Sequence, residues 1–213
     1  MRAAHEYDAN CSVRAASPKE VAMAVAYAQS YQSACMKRLV GAAIVAENGI
    51  TLSTGFNENP VPMMSCKTGL GYCYKDAEMH KSIESLTEVY CPKCGTKQGP
   101  LVRPYACLKC HENLKARLFP SRNIEICTAI HAEERAIRSL GDRSAAKATL
   151  FCTTFPCFQC ARYIVDAQIA RVVYVEAYPV KQSLGFLEKN GVTVEPFNGF
   201  KSRSFSHVFK QIR

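Results

Sequence analysis

No run of apolar residues in this chain approaches the roughly 20 that a bilayer-spanning helix requires. The opening MRAAHEYDAN contains no apolar core of the kind that directs secretion. A helical membrane protein is excluded on the first count, and a cytoplasmic location is expected from the second. The pattern G-x-x-x-x-G-K-S/T does not occur, which excludes a P-loop for nucleoside triphosphates. There is no low-complexity tract, and no internal repeat beyond a recurring pair of cysteines. What is left is ordinary globular composition: 213 residues, 48% hydrophobic and 21% charged, enough for one substantial core and short for two full domains.

Against that background the twelve cysteines stand out. In a reducing compartment they argue against disulfides and for metal binding or catalysis. Six of them form three Cys-x-x-Cys pairs, in CPKC (91–94), CLKC (107–110) and FPCFQC (155–160). Charge is also uneven. The formal net charge is +9, and residues 91–125 carry seven basic side chains against two acidic ones. Residues 198–213 add four more basic side chains, and the rest of the chain sums to zero. Such regions suit phosphates of a small ligand or a nucleic-acid backbone, and equally a solvated surface with a basic tail.

Along the chain, Ser17, Pro18 and Glu20 read as N-cap, first helical residue and capping box of a helix. Val21, Ala24, Val25 and Ala28 recur at helical spacing in it. LVGAAIVAENGITLSTGFN reads as two strands joined at Asn48-Gly49. Residues 60–125 break the pattern with prolines and glycines, and predict an insertion within a single domain covering 1–213. One short helix is expected in it at 76–89, and no core of its own. Regular alternation then resumes: helix TAIHAEERAIRSLG stopped by Gly141, strand KATLFCTT, helix PCFQCARYIVDAQI, strand RVVYVEA, helix KQSLGFLEKNG and strand VTVEPF. Strand–helix alternation with short connections predicts an α/β sheet with parallel crossovers covered by helices.

The pair Cys157–Cys160 alone reads as a redox pair, a structural metal clip or half of a reactive metal site. HAEE (131–134) alone reads as the polar face of a helix. Together they are more specific. His131 and Glu133 fall in the first half of one predicted helix, and Cys157 and Cys160 in the first turn of another. Adjacent helices on one sheet would bring one imidazole and two thiolates together, the three protein ligands of a catalytic zinc with an open fourth position. The order His-x-Glu then Pro-Cys-x-x-Cys is the signature of zinc-dependent nucleobase deaminases.

On these residues the chain resembles the cytidine/deoxycytidylate deaminase superfamily, over HAEERAI, TTFPCFQCARYIVDAQIARVVYVE and the earlier RLVGAAIVAENGITLSTGFNENP. The cysteine-rich insertion and the tail look most like bacterial deoxycytidine-nucleotide (dCTP/dCMP) deaminases of anti-phage defence. With no P-loop, a free-standing deaminase is expected. The resemblance implies a three-layer fold with a central mixed sheet of about five strands flanked by helices. It implies zinc on His131, Cys157 and Cys160, with Glu133 as the catalytic proton carrier between water, the ring and the departing ammonia. Glu134, one position on, points to a different helix face and reads as a surface or supporting residue. Ala132 (through its backbone) and Asn57 are implied as substrate contacts, with Phe155 and Tyr178 as pocket walls. Relatives of this type are commonly oligomeric, so a homo-oligomer is expected.

Cys91, Cys94, Cys107 and Cys110 form the second set. Four thiolates make a closed tetrahedral site, so a structural zinc ribbon is expected at 91–110, giving one catalytic and one structural zinc. Cys66, Cys73 and His80 form at most part of a further site, since no fourth ligand is evident. Cys11, Cys35, Cys127 and Cys152 read as packing residues. Three functions follow. The first is deamination of dCMP or dCTP to the deoxyuridine nucleotide and ammonia, possible in an anti-phage role of nucleotide depletion. The second is cytosine or adenine deamination on single-stranded DNA or RNA, for which Tyr105 is the single stacking aromatic between Cys91 and Cys110. The third is a non-enzymatic zinc-ribbon protein, which the intact His131, Glu133, Cys157 and Cys160 argue against.

Overall fold

The structure is a computed structural model and describes residues 15–115, 126–177 and 181–200. The chain forms two compact units. The described residues of Met1–Ser33, Leu39–Asn57 and His131–Arg213 make the first, and those of Ala34–Arg38 and Glu58–Ile130 the second.

The first unit opens with α1 (Pro18–Ser30), set by the capping box that the sequence predicts. The Glu20 amide donates to the Ser17 hydroxyl, and the Ser17 amide donates back to the Glu20 carboxylate at 2.8 Å. The hairpin follows as β1 (Gly41–Val45) and β2 (Thr51–Phe56), turning through Gly49 at φ 84°. Further along come α3 (Ala132–Arg138), β5 (Thr149–Thr154), α4 (Phe158–Asp166), β6 (Arg171–Glu176), α5 (Lys181–Lys189) and β7 (Thr193–Pro196). The remaining elements belong to the second unit: a π-helical turn (Cys66–Leu70), α2 (Tyr74–Glu84), β3 (Val89–Tyr90) and β4 (Lys97–Gln98).

The sheet is mixed and five-stranded, in the order β2-β1-β5-β6-β7. β1 is antiparallel to both β2 and β5, while β5, β6 and β7 are parallel. Side chains alternate across its two faces. Ala43, Val45, Phe151 and Val173 pack with Ala22, Met23 and Ala26 of α1. Ala42, Ile44, Leu150, Cys152 and Val172 pack on the opposite face with Ala132 and Ala136 of α3, Ala161 and Ile164 of α4, and Leu187 of α5. This is the α/β fold with helices on both faces of a mixed sheet that the resemblance implies.

Local boundaries differ from expectation in instructive ways. In α1 the buried face is Ala22, Met23, Ala26 and Ser30, while Val21 and Ala28 are exposed. The helix is apolar on several faces, so periodicity alone does not select one. The fit against Gly41 does, because a Cβ there would stand 1.9 Å from the Ala26 carbonyl oxygen. The helix predicted from residue 128 starts only at Ala132, with Ile130 instead bridging to Glu58. α2 runs over Tyr74–Glu84 rather than 76–89, because residues 89–90 enter a two-residue strand.

The second unit has a core of its own, contrary to expectation. Ile83, Val89, Cys91, Leu101, Tyr105, Cys107 and Leu114 are buried together. Tyr105 adds a polar anchor: its hydroxyl donates to the Glu84 carboxylate at 2.8 Å and lies 2.8 Å from Nδ1 of His80.

Candidate functional site

His131 and Cys157 are both N-cap residues, each with extended backbone (ψ 155° and 171°) just before a helix. Their carbonyls accept the first intrahelical bonds, from Arg135 and Ala161 at 2.9 Å. The cap position frees each side chain from the helix surface and turns it past the helix end. Neither residue lies inside its helix, as the sequence had predicted for both. Cys160 follows in the first turn of α4.

Because α3 and α4 cover the same face of the sheet, the three side chains meet. His131 Nδ1 is 3.3 Å from Cys160 Sγ and 3.4 Å from Cys157 Sγ. All three donor atoms lie within 4.8 Å of one another. A tetrahedral zinc with Zn–S of about 2.3 Å and Zn–N of about 2.0 Å holds its donors about 3.5–3.8 Å apart. The trio therefore fits that ion both in donor chemistry and in spacing. Cys160 is fully buried and Cys157 nearly so.

The electrostatics agree. Hydrogen bonding from Cys160, with help from His131 and against burial, pulls the Cys157 thiol down to about 4. Its hydrogen bond to Cys157 lifts His131 to about 9, against burial and with support from the Glu133 charge. Cys160 is pushed well above the ordinary thiol range by Cys157 and by burial. A divalent cation at their centre would compensate thiolates at both cysteines. Glu133, buried two residues after His131, is raised by desolvation, with the His131 charge opposing.

The other predicted residues divide. Ala132 is fully buried, and its carbonyl oxygen lies against Gly55 of β2. Its amide is at the first helical position, where no intrahelical acceptor exists. Asn57 is buried, and its Oδ1 accepts from the Val40 amide at 2.7 Å. Phe155 is buried edge-on against Tyr174 at 4.9 Å. Tyr178 lies outside the described residues, as does Cys11. Glu134 is buried rather than on the surface and pairs with Arg138 at 2.7 Å. Thr154 drew no notice in the sequence; it is buried at the end of β5.

In the second unit, Cys91, Cys94, Cys107 and Cys110 converge with all sulfurs within 4.8 Å. Cys91–Cys110 and Cys94–Cys107 are each separated by 3.6 Å, close to the tetrahedral S···S spacing of about 3.8 Å. Each pair is followed by a residue with left-handed backbone, Gly95 (φ 68°) and His111 (φ 57°). Their amides donate back to the carbonyls of Cys91 and Cys107 at 2.8 and 2.9 Å, which curls each pair around a common centre. Hydrogen bonds from Thr96 pull Cys94 down to about 6. His111 is thus a turn residue here. Cys66, Cys73 and His80 form no such group among the described residues; His80 turns to Tyr105.

Of the five basic side chains of 91–125 that lie among the described residues, three are paired. Lys93 meets Glu112 at 3.4 Å, Lys97 meets Glu88 at 2.6 Å and Arg103 meets Glu84 at 3.7 Å. Two of these acids lie just upstream of the stretch that looked so basic. Tyr105 is buried, although Tyr90 is exposed with the Lys97 ammonium 5.9 Å from its ring centre.

Comparison with known proteins points one way. Residues 16–176 match the family described as cytidine and deoxycytidylate deaminase zinc-binding region. The deoxycytidylate deaminase of Saccharomyces cerevisiae is 30% identical over 178 residues, 83% of this chain and 43% of that protein. That of Enterobacteria phage T4 is 30% identical over 160 residues, 72% of this chain and 75% of the phage protein. The chain spans less than half the length of its yeast relatives. In fold it is similar to a dCMP deaminase from the cyanophage S-TIM5, solved with dCMP and dUMP, at TM-score 0.53 and 22% identity over 84% of this chain and 96% of that one.

Proposed function

The chain belongs to the cytidine and deoxycytidylate deaminase zinc-binding family, and from that premise we propose that it hydrolyses a deoxycytidine nucleotide, dCMP or dCTP, to the deoxyuridine nucleotide and ammonia. The observation that carries this reading is the meeting of His131, Cys157 and Cys160, with Glu133 buried beside them. These three residues would hold zinc. When bound, that ion supplies Lewis acidity that makes water nucleophilic near neutral pH.

The remaining steps fall to the protein. Glu133 takes a proton from the attacking water as its oxygen bonds to C4 of the cytosine ring. It passes that proton to ring N3, and then carries the second proton of the water to the exocyclic nitrogen. The C4–N bond breaks and ammonia leaves, with no net change in the protonation of Glu133. A carboxylate suits this because one oxygen can accept while the other donates. The Ala132 amide would hold the base and Asn57 the base or sugar, with Phe155 as a wall and Tyr178 as a second.

We assign a further, structural zinc to Cys91, Cys94, Cys107 and Cys110. The pairing of Lys93, Lys97 and Arg103 with carboxylates supports a free nucleotide over a polynucleotide substrate. No described helix is long and apolar enough to cross a membrane. A cytoplasmic location and a homo-oligomeric state are proposed from the sequence and the resemblance alone. An anti-phage role rests on the resemblance alone.

The test is turnover of dC, dCMP, dCTP and a cytosine-containing oligonucleotide by zinc-loaded protein, followed by ammonia release. Turnover of dCMP or dCTP is expected, with Glu133→Gln reducing it by at least about a thousandfold. Turnover of the oligonucleotide alone would reject the substrate, and full activity of the Gln variant would reject the mechanism.

A further inference from the structure

Thr154 ends β5, three residues before Cys157. The side chains of that strand divide by face. Leu150 and Cys152 are buried with residues of α3 and α4, whereas Phe151 is buried with Met23 of α1. By alternation Thr154 shares the face of Leu150 and Cys152, one step nearer the strand end from which the chain runs on to Cys157.

Thr154 is 7% exposed, and its Oγ1 has no hydrogen-bond partner among the described residues. The adjacent Thr153 behaves as a buried threonine should: it faces the other way, and its Oγ1 accepts the Gly41 amide at 3.1 Å. A buried hydroxyl without a partner is costly and uncommon in a native protein. Valine has nearly the same shape and would avoid that cost. The Thr154 hydroxyl lies on the sheet face against which α3 and α4 pack.

We propose that the Thr154 hydroxyl is a substrate-positioning contact that hydrogen-bonds the polar edge of the pyrimidine ring as the base settles beside Glu133. This rests on the deaminase reading above. A hydroxyl both donates and accepts, so it can meet a ring nitrogen, a ring carbonyl or the exocyclic amine. It acts on the orientation of the base and takes no proton in the reaction.

The experiment compares wild type with Thr154→Val and Thr154→Ser, in turnover of dCMP and in the thermal shift produced by dUMP. Loss of one neutral hydrogen bond predicts a fall in kcat/KM of about three- to tenfold in the Val variant, carried mainly by KM. The dUMP-induced shift should shrink with it, and Thr154→Ser, which keeps the hydroxyl, should restore most of both. The ligand-free midpoint of Thr154→Val should stay equal or rise at unchanged zinc content, because an unpaired buried hydroxyl has been removed. A structural role gives the opposite sign. Should the Val variant not fold, Thr154→Ala carries the same kinetic comparison without added bulk. Wild-type kcat/KM and dUMP shift in the Val or Ala variant would overturn the proposal while leaving the deaminase reading intact. A wild type that turns over no cytosine substrate overturns both.

Discussion

The carbonyl oxygen of Ala132 lies where a side chain on Gly55 would be: a Cβ built there stands 2.3 Å from that oxygen and 2.5 Å from the amide of Ala136. Backbone meets backbone at this point, so no side-chain rotation relieves an added methyl. The contact fixes how deeply α3 settles onto β2, and with it the height of His131 relative to the two thiols of α4.

Gly55→Ala should therefore destabilise the protein by about 2 kcal/mol or more and also loosen the candidate metal site. Gly41→Ala is the matched control. Its Cβ would meet the Ala26 carbonyl at 1.9 Å, on the α1 side of the sheet. Both variants should lower the denaturation midpoint, but only Gly55→Ala should lose zinc faster in competition with a chelator. Equal zinc retention would show that α3 does not set the site.

This contrast also explains how far the sequence could be read. The candidate metal trio was legible because such chemistry uses few residue types at fixed spacing next to helix starts, and His131, Glu133, Cys157 and Cys160 satisfy that pattern. The strands were legible from alternation and turn residues. The buried face of α1 was not, because Val21, Ala22, Met23, Ala24 and Val25 leave no polar stripe to mark the outside, and the choice falls to a glycine on another element. The partial pairing of charge near the four cysteines was hidden for a related reason: Glu84 and Glu88 reach Arg103 and Lys97 through tertiary contacts. Thr154 was invisible because whether a hydroxyl has a partner is decided by the fold.

Glu20 links the two ends of the described first unit. Its carboxylate accepts from the Ser17 amide and hydroxyl, both at 2.8 Å, and from the Phe200 amide at 3.2 Å. Glu20→Ala removes the capping box and leaves those donors without this acceptor. A loss of about 1–2 kcal/mol is expected, read from urea denaturation, with faster hydrogen exchange at the Ser17 and Phe200 amides. Exchange accelerating at Ser17 alone would mean that the long-range bond contributes nothing.

His80 gives the second unit a pH response. Since the Tyr105 hydroxyl donates to Glu84, His80 Nδ1–H is the donor to the Tyr105 oxygen. Burial, then the charges of Lys115 and Arg103, hold His80 below its ordinary range, against weaker pulls from Asp76 and Glu84. Below about pH 6.5 the unfolded chain therefore takes up the proton before the folded one does, and stability falls as the pH drops toward the lowered folded value. The expected loss is well under 1 kcal/mol, since the ring is only partly buried. An NMR titration should find His80 below 6.5, and His80→Gln should flatten the stability profile over that window. A titration midpoint above 6.5 would reverse the sign.

The two groups of candidate ligands should be separable by substitution, because each unit supplies all the members of one. Cys94 is drawn down to about 6 by Thr96 and its sulfur lies 3.6 Å from that of Cys107. It is thus a ready thiolate in a closed set of four, and Cys94→Ser leaves three sulfurs around a cation that prefers four soft donors. Bound zinc should fall from about two to about one per chain, and the Ile83–Leu114 core should lose protection from proteolysis, since metal affinity and folding are coupled. Cys157→Ser should lower zinc by the same amount yet leave that core protected, while abolishing turnover. Zinc measured by mass spectrometry under native conditions, paired with limited proteolysis, distinguishes the two variants. Unchanged zinc in Cys94→Ser would mean that the four cysteines pack without an ion, and loss of both ions in either variant would mean that the units do not fold independently.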